Sequence, residues 1–297
     1  MTAFIKKRPV LSALFCVWLL LILSIDNNIQ IILDYAAFFF VGITGAIFAN
    51  STGAGGGVVF VPFFNQLNID NTTIVATSFA IQCCGMTAGA LAWYKYKKQL
   101  TNNNDSSAAD WAYLPTGLLA CTFSSIAGIL CAQFLLNDYT SAAQNGLHLG
   151  FGIFSILLAL AIYASIPLLN REVTSIKLLL IDILLLNIIS FIGGIITAWL
   201  SVGVGELVAV YLILRGFNIT SAIALAVILS AFTVWSAIGY HLFVSKAIYW
   251  ELLLFAGAGA IVGGTVAKHV VLYFSVVKLK IFFASWVLIM GVAGLIT

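Results

Sequence analysis

The sequence predicts an all-α polytopic membrane protein: two five-segment halves in an inverted-topology repeat, each with a broken helical hairpin, plus one extra N-terminal helix. Three observations lead there. First, 62% of the 297 residues are hydrophobic and only 8% are charged, and apolar stretches long enough to span a bilayer recur along nearly the whole length. Second, a glycine-rich break, Asn50-Ser51-Thr52-Gly53-Ala54-Gly55-Gly56-Gly57, returns 150 residues later as Leu200-Ser201-Val202-Gly203-Val204-Gly205-Glu206-Leu207. Third, the lysines and arginines fall almost entirely on one side of the implied topology.

The elements follow in order. Residues 1–30 form the extra helix: Lys6-Lys7-Arg8 precede the apolar run Val10 to Leu23, and no small-x-small cleavage site follows, so an uncleaved span is expected. Residues 31–168 make the first membrane repeat, with spans at 31–49, 57–68, 73–94, 111–136 and 145–168. The clearly polar segment Lys95 to Asp110 is read as a loop. Residues 178–297 make the second repeat, with spans at 178–200, 206–216, 219–243, 251–270 and 280–297. Segments 57–68 and 206–216 fall short of the roughly 20 residues that a full crossing needs. Each therefore pairs with its predecessor as a hairpin or a re-entrant half-helix. Together the two repeats form one transport domain.

Charge decides the topology. With the N-terminus in the cytoplasm and each broken pair returning to its starting side, Lys6, Lys7, Arg8, Lys95, Lys97, Lys98, Arg171, Lys177, Arg215, Lys268, Lys278 and Lys280 are cytoplasmic. Lys246 alone lies outside. If each broken segment crossed once, the 13 basic residues would divide almost evenly. The positive-inside rule selects the first arrangement. Each repeat then has five passes, an odd number, so the second enters from the opposite side. Inverted repeats are a common basis for alternating access.

The breaks are the candidate site. A helix beginning just after Gly53 to Gly57 presents free N–H groups and the positive end of its dipole to an anion. Asn50, Ser51 and Thr52 offer side-chain donors, and Ser201, Gly203 and Gly205 repeat the pattern. Close helix packing through small residues is the bland alternative, and duplication with a matching serine favours a site. Pro62 lies about one turn past the start of the first half-helix, where a proline is still tolerated, and marks its entry. Gln82 and Cys83, on the helix after the first break, are read as lining the pathway, with structural hydrogen bonding as the competing role. Glu206 replaces Gly56 in the second copy. It either caps its helix or acts as a protonation switch that couples transport. His148, Asp182 and Asn187 are polar groups near spans without a visible partner. His241 and His269 are expected at solvated helix ends, and Trp18, Trp93, Trp111, Tyr249 and Trp250 in the aromatic belts.

Gly42-Ile43-Thr44-Gly45, the break through Gly53-Ala54-Gly55-Gly56-Gly57, then Val61-Pro62 and Ala76-Thr77-Ser78 resemble the TauE/SafE sulfite-exporter family. So does the run from Gly193-Gly194 through Ser201-Val202-Gly203-Val204-Gly205-Glu206. The resemblance covers about residues 35–297. It implies a permease for small sulfur-containing or organic anions such as sulfite or sulfonates. It also implies a substrate-site role for Ser51, Gly53, Gly55, Gly56, Gly57, Ser201, Gly203 and Gly205, and for Glu206.

Other classes fare worse. The net charge of +3 follows from topology and implies no nucleic acid. The five cysteines show no zinc or redox spacing. No Walker-type P-loop suggests ATP drive, and no metal, cofactor or catalytic residue is expected. A channel using the hairpins as pore loops is the main alternative; an intramembrane hydrolase pairing Ser51 with His148 or His241 lacks a nucleophile elbow. The expected partners are a small anion, protons as coupling ion, and the lipid of a bacterial cytoplasmic (inner) membrane.

Overall fold

The computed structural model describes residues 9–25, 27–65, 67, 69–136, 147–167, 175–274 and 276–296. No strand occurs among them. In chain order the helices are α1 (Pro9–Ser24), α2 (Asn28–Tyr35), α3 (Phe38–Thr52), α4 (Gly57–Asn65), α5 (Asn71–Asn102), α6 (Leu114–Leu130), α7 (Leu147–Ser165), α8 (Leu180–Leu200), α9 (Val204–Leu214), α10 (Ile219–Tyr240), α11 (Trp250–Tyr273) and α12 (Val276–Ile296). Single π-helical turns extend α6 through Cys131–Leu135 and α10 through His241–Ser245. Five helical stretches are long and apolar enough to cross a bilayer, and a sixth if α1 and α2, bent by 119°, count as one. Leu119, Phe123, Leu180 and Phe243 stand exposed, as suits side chains solvated by lipid.

Local chemistry sets the helix starts. Asp70 caps α5 by accepting the Thr73 N–H at 2.9 Å. Asn218 caps α10 by accepting the N–H groups of Thr220 and Ser221. Before α6, a 3-10 turn at Ser106–Trp111 starts at Asp105, whose carboxylate accepts from the Ser107 N–H and hydroxyl. Those hydrogen bonds hold the exposed Asp105 carboxyl below its usual range.

Helices of the N-terminal and C-terminal halves of the chain pack on one another. Helix α3 lies on α11 and α8 lies on α6; α5 lies on α11 and α10 lies on α6. At the centre α5 meets α10, and α7 meets α12. Small residues make these approaches possible. A methyl group at Gly42 would overlap the Ala256 carbonyl, and one at Gly259 would overlap that of Phe39. Gly128 and Gly263 align in sequence once the 95–110 segment is discounted, and they play matching parts. Gly128 sits against the Phe191 carbonyl on α8, and Gly263 against the Ile43 carbonyl on α3.

Several sequence expectations change. The stretch 31–49 divides into α2 and α3 at a turn. Much of the expected loop after residue 94 is helical: α5 continues to Asn102, since Lys95, Lys97, Lys98 and Gln99 are good helix formers. Pro62 is the sixth residue of α4, past the first turn. Trp93 and Trp111 are buried against each other, ring centroids 6.2 Å apart, instead of sitting in a belt. His241 is buried too, its ring stacked on Phe79 at 4.9 Å. His269 is exposed, as expected. The side chain of His148 and residues 1–8 lie outside the described residues.

Substituting Gly259 by Leu should lower the thermal unfolding midpoint in detergent sharply, because overpacking against a backbone carbonyl costs about 1–3 kcal/mol or more. Gly239→Ala, with open space around it, should shift stability by no more than about 0.5 kcal/mol.

Candidate functional site

Each hairpin bends where one residue adopts a left-handed conformation. Helix α3 stops at Gly53, φ 80°, whose N–H closes on the Ala49 carbonyl at 3.1 Å. Helix α8 stops at Ser201, φ 60°, whose N–H closes on Thr197 O at 2.8 Å. Gly203, at φ 150°, then turns the chain into α9, a conformation that residues with a Cβ rarely adopt. The copies are therefore out of step: α3 runs through Thr52, whereas α8 ends one residue before Ser201, the counterpart of Ser51.

The two breaks face each other. A methyl group at Gly57 would overlap the Ser201 backbone, and one at Gly205 would overlap the Gly53 carbonyl. Glycine is what permits this approach. The N-terminal ends of α4 and α9 consequently share one buried region in which the amides need acceptors.

Two side chains supply them, Glu206 from the second half and Gln82 from the first. The Glu206 carboxylate accepts the Gly55 N–H through Oε1 at 2.7 Å and the Gly203 N–H through Oε2 at 2.9 Å. The second bond caps the start of α9, the N3 carboxylate reaching back to the N-cap N–H. Gln82, from α5, accepts the Gly56 N–H through Oε1 at 2.9 Å. Its Nε2 donates to the Ser201 carbonyl at 3.0 Å and the Ser201 hydroxyl at 2.7 Å. The Ser201 hydroxyl in turn donates to Ser78 at 2.9 Å. Thr197 Oγ1 accepts the Val204 N–H at 2.9 Å while donating to Gly193 O. Glu206 and Gln82 are 3% and 2% exposed, and Ser78 and Ser201 are fully buried. The carboxylate is thus held by backbone amides of both halves, in a setting where such bonds are strengthened by the low dielectric.

Sequence reasoning singled out most of these residues, and the structure brings Gly53, Gly55, Gly56, Gly57, Gln82, Ser201, Gly203, Gly205 and Glu206 together. It does not bring Asn50 or Ser51 there. Asn50 Nδ2 donates to Ala46 O at 2.8 Å and Gly85 O at 3.3 Å, and the Ser51 hydroxyl is directed to Ala267 O at 3.5 Å. Thr52 donates back to Phe48 and accepts the Ala54 N–H. Cys83 lies in the apolar core. Thr197 went unnoticed, although Gly193 four residues earlier offered a carbonyl for its hydroxyl. Ser230 belongs here as well: it is 3% exposed, its hydroxyl has no partner, and it lies against Gly205.

The remaining polar groups find partners elsewhere. Asp182, for which the sequence shows no partner, is fully buried and pairs with Arg215 at 2.6 Å and with the Tyr211 hydroxyl at 2.7 Å. It also caps α8 through the Leu179 N–H. Asn187 accepts from the Ser124 hydroxyl on α6.

Compared with known families, residues 37–294 match the model described as sulfite exporter TauE/SafE. No curated protein and no solved structure gives a match.

Gln82→Leu should strand the Gly56 N–H and the Ser201 carbonyl. The expected loss is about 1–3 kcal/mol for a buried unsatisfied group, read as a lower unfolding midpoint in detergent. Ser78→Ala, which leaves Ser201 its bond to Gln82, should cost less, about 0.5–1.5 kcal/mol.

Proposed function

The chain belongs to the sulfite exporter TauE/SafE family, a family of membrane permeases, and from that premise we propose that this integral membrane protein is a secondary transporter of a small anion. The substrate is a sulfur-containing or organic oxyanion such as sulfite or a sulfonate, held where the N-termini of α4 and α9 converge. The observation that carries the reading is that convergence, with Gly57 against Ser201 and Gly205 against Gly53. Two half-helix N-termini aimed at one buried point are a general solution for binding an anion without a lysine or arginine.

Residues 31–168 and 178–297 act as the two inverted halves of one transport unit. The packing of helices of one half on those of the other and the 150-residue recurrence support this arrangement. The complete burial of the polar network supports a closed conformation, from which parting the halves toward either side gives access. The basic residues favour a cytoplasmic N-terminus, and the setting is a bacterial inner membrane. Protons are the coupling ion, and Glu206 is the residue that takes them up. An ionised carboxylate repels an incoming anion; a neutral one admits it.

Reconstituted protein should take up labelled sulfite or a sulfonate with saturable kinetics and show counterflow. Gly55→Val should lower that flux at least tenfold, because a side chain at Gly55 meets Gln82 Oε1 and the Ser201 carbonyl, while Gly239→Ala should transport normally. Unimpaired flux in the Gly55 variant, or conductance without saturation, would defeat the helix-end carrier. Glu206→Gln should flatten the pH profile of uptake; an unaltered profile in a well-expressed variant would rule out its coupling role.

A further inference from the structure

The Glu206 carboxylate does more than a helix cap requires. A cap needs the bond to Gly203, three residues back in the same half. The other oxygen instead reaches Gly55, 151 residues away in the opposite hairpin, and makes the shorter of the two bonds. One carbon atom thus presents two oxygens to amides from both breaks. A sulfite, sulfonate or carboxylate group presents its oxygens in the same way. The counterpart position in the first hairpin is Gly56, which carries no side chain, so the two helix starts share a single tethered oxyanion. A second observation points to the same spot. The Ser230 hydroxyl, on α10, is 3% exposed and has no hydrogen-bond partner, and it rests against Gly205 in the first turn of α9. A buried hydroxyl without a partner is a donor free to take a ligand oxygen.

We propose that Glu206 is a built-in stand-in for the transported anion: its carboxylate fills an oxyanion subsite made by the Gly55 and Gly203 N–H groups when substrate is absent, and substrate binds by displacing it, gaining the Ser230 hydroxyl as a further donor. The proposal rests on the transporter reading above and specifies how its site is filled and emptied. Direct exchange of one oxyanion for another spares the amides from standing unpaired in a dry interior, which an empty site could not do. Displacement also removes the Glu206–Gly55 bond between the halves, so binding loosens the contact that must part during transport. The tethered carboxylate competes at every moment, so wild-type affinity is reduced by the fraction of time the subsite is free. That keeps the substrate weakly held and releasable.

The test is anion binding to purified full-length protein by calorimetry and thermal shift, using sodium sulfite, methanesulfonate and acetate, with chloride as the monatomic control. Glu206→Ala should bind sulfite and methanesulfonate at least tenfold more tightly than wild type. Acetate, which restores the missing carboxylate, should raise the unfolding midpoint of the variant and not that of wild type. Adding Ser230→Ala to Glu206→Ala should weaken binding several-fold. If Glu206→Ala proves unstable, the near-isosteric Glu206→Gln takes its place and should also bind more tightly, since a neutral amide competes less well for two N–H donors. Equal or weaker affinity in a monodisperse variant, or no response to acetate, overturns the stand-in and leaves Glu206 as a cap. Saturable wild-type flux alongside that result would leave the transporter reading intact. Absence of both anion binding and flux in wild type and variants alike would remove the transporter reading and the stand-in together.

Discussion

Amides freed where a helix breaks must find acceptors, and inside a bilayer there is no water to provide them. Here the acceptors are the Glu206 carboxylate, which takes the Gly55 N–H of the other half as well as Gly203 of its own, and the Gln82 side chain, which takes the Gly56 N–H of its own half. Gln82 crosses to the second break as a donor, to the Ser201 carbonyl and hydroxyl. Each break therefore relies in part on a residue of the other half: Gly55 on Glu206 of α9, and the Ser201 carbonyl on Gln82 of α5. These crossing bonds tie the two hairpins together at the buried polar network.

Close approach of the backbones is the condition for that exchange. Gly57 against Ser201 and Gly205 against Gly53 leave no room for side chains. The same economy governs the outer contacts, where Gly42, Gly128, Gly259 and Gly263 each rest on a carbonyl of the opposite half. In lipid no hydrophobic drive pulls helices together, so contact area between small residues and buried hydrogen bonds must do so. Ser125 with Thr233, bonded at 2.8 Å between α6 and α10, is one such bond.

The halves differ in how firmly their hairpins are tied. Asp182 at the start of α8 binds Arg215 and Tyr211 at the far end of α9, so the second hairpin is clamped at its open end. At the offset of 150 the positions of Asp182 and Tyr211 correspond to Ile32 and Val61, which cannot form such a clamp. The carboxylate at the breaks is equally one-sided, with Glu206 opposite Gly56. Equivalent sequence positions in the two hairpins therefore carry different chemistry.

Composition and periodicity were enough to read the helical membrane class, the two breaks and nearly all the residues around them. Span lengths and glycine recurrence are properties of the chain itself. The apolar spans 73–94 and 219–243 also began close to the starts of α5 and α10, at Asn71 and Ile219. The partners were not legible. Asp182 and Arg215, or Glu206 and Gly55, meet only because helices far apart in sequence pack side by side, and no local pattern records that contact. For the same reason Asn50 and Ser51 looked like site donors: their position beside the break was visible, but the rotation of the last turn of α3, which turns Asn50 toward Gly85 and Ser51 toward Ala267, was not. Trp93 and His241 were misplaced because helix ends in sequence are not always ends in space. The sequence by itself determined that the chain breaks twice among glycines within a membrane. Tertiary structure decided that the breaks face each other and that a carboxylate lies between them, because backbone groups without water must be satisfied by whatever the fold brings near.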